Sequence, residues 1–435
     1  MARPVTRLAV VGGGWAGIAA AVAAVDAGAQ VTLFEMASRL GGRARAVPGD
    51  LPADELPLDN GQHILIGAYV QTLALMRRVG VVPEQVLRRL PLQLCMPDGS
   101  GLVLPAGAAV PAFLRGVMAA RGWRLVDRLA LLAAASGWAL SGFRCDPAWS
   151  VERLCRGLPA RVREDLIDPL CVAALNTPAA EASATVWLRV LRDALFSGPG
   201  SADLLLPSQP LDALLPAPAS DWLTASGARL RLGERVHSLQ HEGSGWQVTD
   251  EIFDHVVLAS PAAEAARLTA ALAPAWAAQA AALRYEPIIT VYLHSPGTRL
   301  AAPMLALRAG PDAPAQFVMD HGALGAAPGR FAFVVSGAAH WVERGLDATG
   351  KAVLRQATQA FAPGTWATAP QLLRVLADKR ATFRCTPGLQ RPPAAIAPGL
   401  VAAGDHVAGP YPSTLEGAVR SGQQAVASLL RAADG

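Results

Sequence analysis

Lysine is almost missing from this chain: of 38 basic residues, only Lys351 and Lys379 are not arginine. Charge of either sign is sparse, at 17% of residues, and the balance is a mild +4. No basic run, zinc-ligand spacing or aromatic RNA-binding segment accompanies it, so nucleic acid is not an expected partner, whereas an anionic cofactor or anionic membrane surface is permitted. The five cysteines, Cys95, Cys145, Cys155, Cys171 and Cys385, form no CxxC pair, metal-ligand set or disulfide framework. They read as buried thiols of a reducing cytoplasm, and no metal is expected. Also lacking is the run of about 18 uncharged apolar residues that a spanning helix needs, although 52% of the chain is hydrophobic and its mean hydropathy is +0.30. The expected location is cytoplasmic, with peripheral attachment to the inner face of the membrane left open. No secretion signal is expected, because Met1–Arg7 leads straight into a strand.

What is present has a clear order. The 435 residues allow two or three domains at about 150 residues each. Residues 7–35, RLAVVGGGWAGIAAAVAAVDAGAQVTLFE, have the grammar of a βαβ unit: strand Leu8–Val11, a glycine turn, an alanine-rich helix to near Gly28, and strand Gln30–Phe34 closed by Glu35. Gly12, Gly14 and Gly17 suit a tight turn, close approach of a pyrophosphate and helix–strand packing, with Trp15 and Ala16 opening the helix whose N–H groups face the phosphates. Glu35 stands where a carboxylate accepts from a ribose 2′-hydroxyl and would repel the 2′-phosphate of NADP.

Arg39-Leu-Gly-Gly-Arg43 follows, and this segment resembles the RxGGR continuation of the flavin amine oxidase and phytoene desaturase superfamily. The resemblance implies FAD, bound non-covalently because no cysteine lies in the C-terminal motif, with Gly41, Gly42 and Arg43 at its phosphates. It also implies a closing segment, matched by residues 400–422, LVAAGDHVAGPYPSTLEGAVRSG. Gly404 and Asp405 would meet the phosphate and ribityl portion, and Thr414, Leu415 and Gly417 would start a helix facing the flavin. Glu416 reads equally as simple complement to a helix N-terminus. A third segment, Gly227–Pro261, is β-rich, and Val236 is the match to the residue that packs on adenine.

The expected fold class is α/β with an α+β second domain. A Rossmann-like FAD-binding domain would be built from residues 1–85, 226–262 and 396–435, and a substrate domain, with an antiparallel sheet and helices, from 86–225 and 263–395. Residues 283–295 and 331–336 read as strands of that sheet, and 151–196 as helical with a break at Leu175-Asn176-Thr177-Pro178. In residues 107–146, arginines alternate with apolar residues before the largely apolar run 129–140. Two readings stay open there: helices that lie on a membrane or cover an apolar tunnel, and a core pair whose arginines reach to water.

Within the superfamily the chain resembles the hydroxysqualene dehydroxylase family of hopanoid-producing bacteria, on the words VVGGGWAG, LGGRA, LDNGQHILIGAY, LCVAALNTP, DKRATF and STLEGAVRSG, which span the sequence from end to end. The resemblance implies an FAD-dependent oxidoreductase that removes the allylic hydroxyl of 12-hydroxysqualene. Its partners would be a C30 isoprenoid substrate and other enzymes of squalene and hopene formation. Gly61 and Gln62 would sit beside the flavin ring. His63 would be either a clamp on that loop or the acid for the departing hydroxyl, with Tyr411, Asp59 and His406 as further candidates. One departure is GDHVAGPYPST, where the family more often has Asp-Trp and Gly-Leu-Pro-Ala-Thr. Rival readings are a carotenoid-type desaturase or amine oxidase on the same scaffold, and a lipid-binding prenyl-protein escort without redox chemistry.

Overall fold

The computed structural model describes residues 5–47, 57–243 and 245–433; the other residues of the expected segments 1–85, 226–262 and 396–435 lie outside the described set. β1 (Arg7–Val11) is aliphatic and leads through the glycine turn into α1 (Trp15–Asp26); β2 (Gln30–Glu35) returns parallel to it, with Val10 opposite Leu33. β3 (Arg229–Leu232) joins the outer side of β2, and β4 (His255–Leu258) joins β1, with Val257 opposite Val10. The central strands are apolar on both faces because helices or a second layer cover both, as parallel sheets require. Gly17 allows α1 to lie against the turn: a Cβ there would meet the Gly12 carbonyl oxygen at 1.8 Å.

A second sheet is antiparallel, with strand order β6-β7-β8-β5-β9: β5 (Tyr285–His294), β6 (Met304–Ala306), β7 (Phe317–Asp320), β8 (Arg330–Val335) and β9 (Gln371–Phe383). Period-two alternation divides β5 between two cores. Ile289, Val291 and Leu293 pack beneath the sheet with Val353 and Ala357 of helix Leu346–Ala360, while Tyr292 points to the other face.

That other face is covered by helices inserted between β2 and β3. The inserted helices include α2 (Val70–Arg78), whose Leu73 and Met76 pack in the core of the first sheet instead, α3 (Ala109–Ala119), α4 (Leu125–Leu140), α5 (Asp168–Leu175), α6 (Ala184–Phe196) and α7 (Pro216–Ala225). Val117, Leu131, Cys171 and Trp187 of α3 to α6 share a core with Tyr292, Phe317 and Phe383. α7 differs: Ala219 and Leu223 pack with Ala20 and Ala24 of α1, so this stretch, expected with the substrate portion, covers the dinucleotide sheet instead. The physical reason is its apolar face, which fits the small-residue surface of α1.

The chain then returns to the first sheet. β10 (Ala395–Ala397) and β11 (Leu400–Ala402) complete the order β3-β2-β1-β4-β11-β10, β11 running parallel to β4. α8 (Leu415–Ala433) closes over α1. Their close approach depends on Gly422, where a Cβ would lie 2.1 Å from the Ala16 carbonyl oxygen.

Candidate active site

One cavity of about 1000 Å³ runs from the glycine turn of β1 to helices α3 and α4. Gly12, Gly14, Trp15, Ala16, Glu35, Gly41, Gly42, Arg43, Gly61, Gln62, His63, Val236, Gly404, Asp405, Tyr411, Thr414 and Leu415 all line it. Gly17 and Gly417 do not; Gly17 acts by packing, and Gly417 donates its N–H to Thr414 Oγ1 (3.1 Å) in the first turn of α8. Asp59 does not line it either. It is buried behind the wall, accepting from the Leu211 N–H at 2.9 Å, so its carboxyl does not face the cavity as a catalytic acid must. Burial pushes it up to about 7, with Asp212 adding and the Leu211 amide opposing.

At the sheet end, two glycine loops meet: Gly41 N–H donates to Gly13 O (2.8 Å), and a Cβ on Gly42 would sit 3.0 Å from Gly14 Cα. Trp15 Nε1 donates to Ala44 O at 3.0 Å and locks the loop. Glu35 accepts from the N–H groups of Gly13 (2.7 Å) and Ala37 (2.8 Å), which fixes its carboxylate in the wall.

Arg43 crosses to the far end of the sequence, donating to Asp405 Oδ1 (2.6 Å) and to the Ala381 carbonyl (2.6 Å). Burial pushes Asp405 up, but the Arg43 charge and hydrogen bond, His406 and the Ser413 hydroxyl outweigh it and hold the acid at about 2. His406 is pulled down to about 4 by burial, with Asp405 opposing, and is neutral. Glu416 complements a helix, but not its own: it accepts from the N–H groups of Gln71 (3.1 Å) and Thr72 (2.9 Å) at the start of α2.

The polar loop 59–63 is braced from behind. Gln62 Nε2 donates to the Tyr292 hydroxyl (2.9 Å), which donates to Asp59 O (3.0 Å), and Asn60 Nδ2 donates to Arg43 O (3.2 Å). His63 Nδ1 lies 2.9 Å from Gly61 O and donates to it; burial lowers the imidazole below its ordinary value, so it is neutral near pH 7. Tyr411 takes part in none of these bonds: Arg189 Nη2 donates to its oxygen at 3.1 Å, and the Arg189 and Arg420 guanidiniums lie 5.0 and 5.4 Å from its ring centre.

Several lining residues carried no role in the sequence reading. Asn176, in the left-handed region at φ 46°, donates to Thr382 Oγ1 (3.0 Å) and accepts from Gly337 N–H (2.7 Å). It joins the LNTP word to the DKRATF word, whose Asp378 and Ala381 line the same wall. The words themselves were the available signal; their contact was not. Ser260, after β4, had no signal.

Residues 15–430 match the model of flavin containing amine oxidoreductases. The chain belongs to that family. Among its relatives is the hydroxysqualene dehydroxylase of Zymomonas mobilis, 28% identical, covering 96% of this chain and 97% of that protein. A second, from Sinorhizobium fredii, is 27% identical with 96% of each chain covered. An oxidoreductase from Methanosarcina mazei has the same fold, with a TM-score of 0.73 at 17% identity, covering 97% of this chain and all of that one. This amine oxidoreductase family member is thus an FAD-dependent oxidoreductase.

The residues present fit FAD. Ser260 Oγ and His406 Nε2 are buried polar atoms on the cavity wall with no protein partner, and buried polar atoms are normally satisfied. The Gly14–Gly42 contact leaves bare backbone beside the start of α1, where anions are favoured. Gly12, Gly14, Glu35, Arg43, Val236, Asp405 and Leu415 are the residues that would hold it.

Proposed function

We propose that this oxidoreductase converts 12-hydroxysqualene to squalene by reductive loss of the allylic hydroxyl, with FAD bound non-covalently. One observation carries the reading: the cavity continues from the dinucleotide cradle into a wall made mainly of aliphatic and aromatic side chains, such as Leu92, Leu102, Phe113, Leu166 and Leu170. Such a space suits a long hydrocarbon, and the names of the near full-length relatives agree with it. No cysteine lines the cavity among the described residues, which supports a non-covalent cofactor.

The reaction breaks a C–O bond and forms a C–H bond; the hydroxyl takes a proton and leaves as water, and the allylic carbon takes a hydride. Reduced FAD supplies that hydride when bound, and an external two-electron donor restores it. The chain's tasks are to exclude water, which would recapture an allylic cation, and to place the proton. We assign the proton to Tyr411. The hydrogen bond from Arg189 fixes the phenol oxygen and leaves its O–H for the substrate hydroxyl. His63, neutral and tied to Gly61, serves as the clamp that shapes the loop beside the flavin.

Anaerobic incubation of purified, chemically reduced protein with 12-hydroxysqualene, followed by product analysis, tests this. Squalene is the expected product. Oxidation of a polyene or an amine by the oxidised protein, with no squalene under reducing conditions, would replace the reading by a desaturase or an amine oxidase; protein that releases no flavin on denaturation would favour the escort.

A further inference from the structure

Seven of the eighteen large apolar side chains exposed among the described residues lie between positions 110 and 140. On α3 they are Val110, Leu114 and Met118, spaced one turn apart on one face; on α4 they include Leu125, Leu129 and Leu140, which is 89% exposed. No charged residue occurs from 129 to 143, so from Leu129 onward α4 presents only uncharged groups to solvent. A water-soluble surface rarely leaves so continuous an apolar face uncovered.

The charges of residues 105–145 are mostly of one sign, with exposed Asp146 just beyond Arg144. Residues 105–145 contain Arg115, Arg121, Arg124, Arg128 and Arg144 against one acid, Asp127, and Asp127 is buried, capping α4 through the Arg124 N–H at 2.9 Å. Arg128 is spent internally, donating to the Met118 and Ala120 carbonyls and joining the two helices. Arg115, Arg121 and Arg144 remain exposed, Arg121 in the chain before α4 and Arg144 in the chain after it. A flat apolar strip bordered by cations complements an anionic lipid surface, with the hydrocarbon below the headgroups taking the leucines and the headgroups meeting the arginines.

The same helices form the end of the cavity. Val110, Leu114, Ser136 and Ala139 are exposed and also line it, so its mouth opens within the apolar face. We infer that the α3–α4 pair docks the protein on an anionic bilayer and that the cavity mouth faces the lipid, so that an apolar substrate enters and leaves without crossing water. The docking rests on exposure and charge alone; the claim about substrate entry rests on the proposed function.

The test is sedimentation of the flavin-loaded full chain with vesicles of phosphatidylcholine, with and without phosphatidylglycerol. Binding to the anionic vesicles is expected, and weaker binding to the neutral ones. The variant L125E/L129E/L140E changes exposed residues that do not line the main cavity; it should keep its flavin and melting temperature and lose vesicle binding. R115Q/R121Q/R144Q should weaken binding about five-fold per arginine. Wild-type protein that fails to sediment with anionic vesicles, or a triple-glutamate variant that binds as the wild type does, overturns the inference. A stable dimer in ultracentrifugation that the triple-glutamate variant dissociates assigns the face to a second copy instead. Vesicle binding is read without substrate, so a failure to make squalene with binding intact would refute the reaction and leave the docking standing. If squalene is made, the variant should turn over detergent-dispersed substrate normally and vesicle-borne substrate poorly.

Discussion

Arg43 and Asp405, 362 residues apart, meet at 2.6 Å and tie the second glycine loop to the turn after β11. The aspartate side is nearly sealed from water, with 9% of the side chain exposed, and the arginine side is not, at 38%. The pair therefore positions both loops on the cofactor cradle while contributing less than a fully buried pair would.

Asp405→Asn should lower stability near neutral pH by about 2 kcal/mol and weaken FAD retention, because Arg43 loses its counter-ion. The wild-type contribution has a defined pH window. Asp405 is held at about 2 when folded, below the ordinary carboxylate value, so its stabilisation is present above about pH 4 and is lost as pH falls through 2. Urea unfolding of both proteins from pH 7 to pH 2.5 should show the difference shrinking with acid.

Asp59→Asn should act in the opposite sense. The folded carboxyl sits near 7, above its unfolded value, so the native state holds a proton that the unfolded chain releases between about pH 4 and 7. Wild-type stability falls across that interval, and the variant, which keeps an acceptor for the Leu211 N–H, should gain on it up to about 4 kcal/mol and then plateau. Equal stability of the two at pH 8 would contradict this.

Gly422→Val should be among the most damaging single changes. The added carbons meet the Ala16 carbonyl, which is helix backbone and cannot give way, so α8 must lift from α1 at a cost of about 3 kcal/mol. Thermal melts with and without added FAD should both fall, and the flavin content of purified protein should drop.

Tyr411→Phe and His63→Ala separate proton donor from clamp. The first should leave bound flavin unchanged and reduce turnover about a hundred-fold or more. The second should chiefly weaken flavin binding, with turnover of the loaded protein reduced far less. A His63→Ala protein that keeps its flavin but has no turnover would exchange the two roles.

Glu416 and loop 59–63 show what reading along the chain can and cannot reach. A glutamate in the first turn of α8 looks like a complement to that helix, and only the folded chain shows it serving the N-terminus of α2, more than 300 positions earlier. Likewise the crowd of polar groups at 59–63 is visible as a pattern, but its division is not. Gln62 and His63 line the cavity while the Asp59 carboxyl is behind it, because Tyr292 and the Leu211 amide hold the strand in that register.

By itself the sequence determined the βαβ unit, the glycine positions and the exclusion of NADP by Glu35, since these depend on local spacing and on backbone room that only glycine provides, and its resemblance to the flavin amine oxidase superfamily implied FAD and the family. It also marked 107–146 as unusual. The tertiary structure alone decided which polar residues face the cavity, that Arg43 meets Asp405 and Asn176 meets Thr382, and that α7 packs on α1. These are contacts between distant segments, and each depends on the packing of several elements whose joint geometry no local pattern encodes.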